Sequence, residues 1–292
     1  MNFSQTDYSQ IIIDTINKLF TNLFSSVDNT LYSLLDKIVF VDSSIIKDSF
    51  FDKAFGSGYN IGLIALANSL LIGFTIYYCS KLMLSTYTAN NVEKPYQFIL
   101  KAIIFGICVN CSQFLCEQII TINSFITDAI REIGKYIFGT SISFNNLISQ
   151  MNSFINISSS FNLFSFDGIM KSFVSIGLLN LLFSYSLRYI MIKVFILLSP
   201  FAFLSLITQS TAWFFKTWIR NFISLLLIQP FISLIFLIIF SFDGTFSSVF
   251  SQLMYIGAIY ALTKANHYMQ ELIGGISTDF NINLGSVKSF IK

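Results

Sequence analysis

Three groups of residues have types that carry chemistry. They are the lone histidine, His267, the cysteines Cys79, Cys108, Cys111 and Cys116, and the carboxylate Glu117 inside an apolar run. Cys108 and Cys111 have the C-x-x-C spacing of a redox pair or half of a metal site. They sit in "IIFGICVNCSQFLCEQII", with no histidine nearby, where a thiolate would be costly. The main reading is packing cysteines, with a metal or a disulfide as lesser alternatives. One histidine builds neither a His-based metal cluster nor an acid–base set. G-x-x-x-x-G-K-[ST], G-x-S-x-G and H-E-x-x-H are all missing from the sequence. Ion-driven transport usually needs more intramembrane carboxylates than Glu117 alone. The residues therefore lead us to expect no enzyme, no cofactor and no metal.

Composition sets the class that must position any site. Of 292 residues, 54% are hydrophobic and 11% charged, against about 25% charged in a soluble domain. So few charges cannot keep a compact body of this size soluble. The expected fold is an all-α, polytopic membrane protein. Net charge is +2 with scattered cations, so no basic nucleic-acid groove is expected. The start, "MNFSQTDYSQIIID", has no cationic segment before an apolar core, so no cleaved signal peptide is expected.

Residues 1–58 read as an external amphipathic helical region. Ile12, Ile16, Leu19, Leu23, Val27, Leu31, Leu34 and Ile38 recur every three or four residues, with polar side chains opposite. Residues 59–122 hold two spans, 59–80 and 98–119; Pro95 opens the second helix and Lys101 snorkels at its start. Glu117 sits either at the far interface or facing other helices along a watery path. Residues 123–168 are rich in Ser, Asn and Phe. They read as an external interfacial loop region, which serves as an interaction surface or packs on the bundle.

"RYIMIKVFILLSPFAFLSLI", residues 188–207, poses the main topological question. A span over 169–188 ends at Arg188 and Lys193. If 194–212 crossed fully, Lys216 and Arg220 would fall on the opposite face, against the tendency of cations to collect inside. A reentrant or interfacial segment over 194–220, broken at Pro200, keeps the four cations together. Spans at 222–240, kinked at Pro230, and 247–263 follow. The count is five, or six if 194–212 crosses. This map puts the N-terminus outside and the 264–292 tail in the cytoplasm, with residues 188–220 inside.

"STAWFFKTWIRNFISLLLIQP" is the most structured signal. Trp213 and Trp218 with Lys216 and Arg220 make an interfacial anchor or a partner contact, and Gln229 can bond across helices. The candidate structural or substrate-path residues are Glu117, Arg188, Lys193, Pro200, Trp213, Lys216, Trp218, Arg220, Gln229 and Pro230.

"LLSPFAFLSLI", then "WFFKTWIRNFISLLLIQPFISLI", a short turn and "YIGAIYALTKANHYMQELIGG" together resemble the TrbL-type polytopic subunit of conjugative type IV secretion systems, in its Gram-positive form. The resemblance covers roughly residues 165–280. It implies an integral cell-membrane subunit that helps single-stranded DNA with its relaxase, or a protein, to cross. It also implies other type IV secretion membrane subunits and cytoplasmic ATPases as partners, with several copies of the chain and membrane lipid around it. An external N-terminus, a cytoplasmic C-terminus and an external central region near the substrate path belong to that layout. Residues 123–168 take the central position, though they are less polar than a substrate-handling surface. Pro200, Trp218 and Arg220 fall in the best-shaped segment. The competing readings are a permease subunit for small molecules and a purely structural membrane scaffold.

Overall fold

The structure is a computed structural model that describes residues 15, 29–56, 62–88, 93–147, 150, 166–242 and 248–274. Residues 9–28 of the expected 9–39 helical repeat, apart from residue 15, residues 151–165 of the central region and the tail from 275 onward lie outside the described residues. Among the described residues the only regular elements are helices. They are α1 (Asn29–Val39), α2 (Ser49–Phe55), α3 (Leu63–Thr88), α4 (Pro95–Asn110), α5 (Ser112–Phe138), α6 (Phe166–Leu204), α7 (Ala212–Phe240) and α8 (Ser248–Ile273). Short 3-10 turns occupy Ser43–Ile45 and Ser205–Ile207.

The helix ends follow local chemistry. The Asp48 side chain accepts from Phe50 N–H at 3.2 Å and caps α2. Gly56, at φ 89°, ends α2, and Gly139, at φ 69°, ends α5. Pro95 opens α4, where its missing N–H costs little.

Three helices are long and apolar enough to cross a membrane, at Leu63–Tyr87, Ile176–Ile207 and Ala212–Phe240. They indicate membrane association. α4 and α5 become a fourth crossing if counted as one span, bent by 66°. The straight span expected over 98–119 is therefore broken at Cys111. Asn110 competes with its own ladder there, since its Nδ2 donates to Gly106 O at 2.8 Å. Residues 248–263 of the expected 247–263 span are helical, within α8, which is not among the three long apolar helices.

Residues 188–207 also differ from expectation. Residues 194–204 instead continue α6, and the chain reverses within 205–211. Thr211 Oγ1 locks that reversal, donating to Ser205 O at 2.7 Å and pairing with Thr208 Oγ1 at 2.6 Å. Pro200 removes one bond of the ladder, yet α6 runs through it to Leu204.

α6 and α7 run through two hydrophobic cores. One joins residues 41–55 and α3–α5 to 192–226, and includes Phe51, Phe98, Ile196 and Trp218. The other joins α1, 142–147 and α8 to 174–185 and 228–240, and includes Leu35, Phe144, Tyr185 and Phe236. A 39-residue α6 is about 58 Å long, roughly twice the hydrocarbon thickness. Gly177 lets α6 and α8 close together, since a Cβ there would lie 2.5 Å from Ile259 Cγ2.

Two contacts revise the expected sidedness of the 188–193 cations. Lys193 Nζ lies 3.3 Å from Asp48 Oδ2, and Arg188 Nη1 donates to Val39 O at 2.9 Å. Residues 39–48 and 188–193 therefore share one level of the molecule, where the cation count separated them by a membrane. That count treated each cation as marking a face, whereas Lys193 has a carboxylate partner and Arg188 bonds buried carbonyls.

α1 is fastened at the second core. Asp36 Oδ1 accepts from Phe144 N–H at 3.0 Å, and Arg131 Nε donates to Ile142 O at 3.0 Å with its guanidinium 4.5 Å from the Phe40 ring centroid. Burial pushes the Asp36 carboxyl above its ordinary 3.8, although the Phe144 N–H and the Arg131 charge pull the other way. Folded Asp36 thus keeps its proton to higher pH than the unfolded chain does. Its ionisation costs stability as pH rises from 3.8 to the raised value. Asp36→Asn keeps an acceptor for Phe144 and removes the charge. Its stability profile is expected to flatten across that window, with neutral-pH stability equal or higher. A clear loss of neutral-pH stability in thermal unfolding would show that the charge itself holds the junction.

Candidate functional site

The site with the most polar structure is the crossing of α6 and α7. Each helix carries a proline, and a proline cannot donate to the carbonyl four residues back. Pro200 leaves Ile196 O without its usual partner, and Pro230 does the same to Leu226 O. The carbonyl one residue further back is taken from the opposite helix in both cases. Trp218 Nε1, on α7, donates to Phe195 O at 2.9 Å. Arg188 Nε, on α6, donates to Leu225 O at 2.7 Å. The two helices therefore clasp each other beside their prolines.

The surroundings hold both donors in place. Trp218 stacks on Phe222 with centroids 5.3 Å apart and packs near Phe203 and Phe215. Arg188 is fully buried, and its second bond reaches the last carbonyl of α1, at Val39. A cation at a helix C-terminus also meets the negative end of the helix dipole. Arg188 Nη2 has no hydrogen-bond partner among the described residues.

More uncharged polar groups line the same interior. Asn123 Nδ2 on α5 donates to Gln229 Oε1 on α7 at 2.9 Å, and both residues are buried. Tyr185 Oη donates to Leu262 O on α8 at 2.7 Å. One turn further along those two joined faces come Arg188 and Asn266. Asn266 is buried with both amide atoms unpartnered among the described residues. Ser199 and Ser233 are buried as well.

No family model and no curated protein matches the chain.

The structure gathers some of the expected site residues and separates others. Arg188, Pro200, Trp218, Gln229 and Pro230 are buried along the α6–α7 crossing. Lys193 lies at its edge, paired with Asp48 and over the Phe51 and Tyr189 rings. Glu117 stands apart on α5, 3.8 Å from Lys47, so a charge partner from the N-terminal region accompanies it. Trp213, Lys216 and Arg220 are exposed on the first turns of α7. Asn123 and Asn266 were not singled out from the sequence. The usable signal was an uncharged amide among apolar residues of a long helix, which seeks a partner across the bundle.

Chemically the crossing supplies hydrogen-bond donors and one fixed positive charge. His267 lies elsewhere, exposed and 3.1 Å from Glu271. Among the described residues no three His, Cys, Asp or Glu side chains gather as a metal site would need. An open groove of about 510 Å³ between α3 and α4 is walled by a reciprocal Asn68–Asn110 amide pair at 3.1 and 3.3 Å.

The Asn123–Gln229 pair gives a direct test of the interior. Asn123→Leu or Gln229→Leu alone strands the other amide and should cost about 1–2 kcal/mol. The double variant removes both polar groups and should recover most of that loss. Additive losses in a thermal-unfolding cycle would mean that the pair is not coupled.

Proposed function

We propose that the chain is a membrane channel or scaffold subunit of a type IV secretion machine, helping a DNA–protein substrate across the cytoplasmic membrane. The observation that carries this reading is where the resembling segment falls. Of the residues in its best-shaped segment, Pro200 and Trp218 are buried where α6 meets α7, and Arg220 is exposed. A pattern that specifies a helix crossing is what a shared membrane framework requires. Other membrane subunits and separate ATPases complete the machine, and several copies of this chain line the passage.

The N-terminus lies outside and the C-terminus in the cytoplasm. The pairs Asp48–Lys193 and Lys47–Glu117 mark the outer interface. Lys81 and Lys94, with the 205–211 reversal, mark the inner one, so the cation bias still runs inward. With the native cysteines replaced by serine, a cysteine at exposed position 53 should react with an impermeant maleimide on intact cells. A cysteine at exposed position 94 should react only after lysis. The reverse pattern refutes this orientation.

The functional test is in-frame deletion of the gene in a donor strain, with restoration in trans. Loss of DNA transfer with rescue supports the reading, and undiminished transfer from the deletion strain counts against it. Passage wall and scaffold separate at exposed residues. Neutralising Asp128, Glu132 and Lys135 on the outer face of α5 should reduce transfer without loss of assembly if that face borders the passage.

A further inference from the structure

The first turns of α7 carry an exposed face whose chemistry the clasp does not use. Trp213 is 64% exposed, and Lys216 and Arg220 are exposed beside it. Offsets of three and seven residues place the three on one side of the helix. Neither cation has an ion-pair or hydrogen-bond partner among the described residues, whereas Lys47, Lys101, Arg131 and Lys193 each have a carboxylate. The face begins directly after the polar 205–211 reversal and precedes the uncharged run from Asn221 to Phe240. Arg220 is not splayed into open space. Its guanidinium lies over the end of α8, where a Cβ on Gly274 would be 3.5 Å from Nη1.

We propose that Trp213, Lys216 and Arg220 form a binding site for the phosphate headgroup of an anionic phospholipid in the leaflet at the 205–211 reversal. Two unpaired cations call for an anion. Their long stems let the charged ends reach back toward the headgroups while the methylenes stay in the apolar layer. An indole beside them sits where headgroup and acyl chain meet. A neutral lipid satisfies the indole but leaves the cations uncompensated. The proposal rests on the membrane reading and is independent of the secretion assignment.

The test uses the full chain in nanodiscs of phosphatidylcholine that carry dibrominated phosphatidylglycerol or dibrominated phosphatidylcholine at equal mole fraction. Tryptophan quenching is read in the unmodified chain and in Trp213→Phe, whose remaining indole, Trp218, is buried. The part of the quenching lost in Trp213→Phe reports the exposed face. Phosphatidylglycerol should quench that part at several-fold lower mole fraction, since each cation near a headgroup favours the anionic lipid by about fivefold. Lys216→Gln/Arg220→Gln should remove the preference, and Lys216→Arg/Arg220→Lys should keep it. Equal quenching by the two lipids overturns the proposal. So does a preference that survives the double Gln variant, and the face then fits an acidic protein surface instead. Absence of quenching by either lipid would overturn the membrane reading itself.

Discussion

Arg188→Lys is expected to destabilise the protein more than Arg188→Met does. Arg188 donates through Nε to Leu225 O at 2.7 Å and through Nη1 to Val39 O at 2.9 Å, from a fully buried position. Two hydrogen bonds from a charged donor contribute about 1.5–3 kcal/mol each. Opposing them is the cost of keeping a charge out of water, several kcal/mol after relaxation. Methionine loses both bonds but also relieves that cost, so the two changes largely offset. Lysine keeps the buried charge, and its single ammonium cannot reproduce the guanidinium fork. It reaches one carbonyl and strands the other, a net loss of about 3 kcal/mol. Thermal unfolding of the purified chain in one detergent ranks the variants. If Arg188→Lys is the milder change, the charge rather than the fork is what the site needs.

That contrast also marks what the sequence made legible. Helix content and the membrane class follow from low charge and long apolar runs. α3 and the uncharged part of α7 stood close to their observed positions for that reason. In the α6 region, residue-by-residue rules of thumb do not see long-range partners. Pro200 counted as a breaker, yet α6 runs through it to Leu204. Arg188 and Lys193 counted as markers of a membrane face, although a partner far away in sequence neutralises that signal. The partners are Val39 O and Asp48, 149 and 145 residues away, and no local pattern announces them. The same holds for Asn123 and Gln229, 106 residues apart. Gln229 was singled out because it stands in an apolar run beside a proline, whereas Asn123 lay in a stretch with other polar residues. The break at Cys111 was hidden in a different way. It depends on Asn110 turning back onto Gly106 O, a side-chain choice within one turn that average hydropathy does not register.

Trp218→Ala is expected to be the most damaging single change in the chain. Trp218 is almost fully buried and stacks on Phe222, with ring planes 16° apart. It fills the space between Phe203 and Phe215 on the side where α6 ends and α7 begins. Truncating a buried aromatic of this size costs about 3–5 kcal/mol through lost burial and the cavity left behind. The indole N–H bond to Phe195 O adds about 1 kcal/mol. That carbonyl is beside the one at Ile196, whose helical partner Pro200 removes, so the indole bond sits where the α6 ladder is already one bond short. Trp218→Phe keeps most of the ring packing and loses only the donor. It should therefore retain the fold with a drop of about 1–2 kcal/mol. The difference between the two variants separates packing from hydrogen bonding at the crossing. Equal losses in thermal unfolding would place the whole effect in the N–H bond, and the aromatic cluster would then contribute little. If the secretion reading holds, transfer should fall with folded protein level in Trp218→Ala. A fall in Trp218→Phe at unchanged level would instead assign the clasp a part in gating.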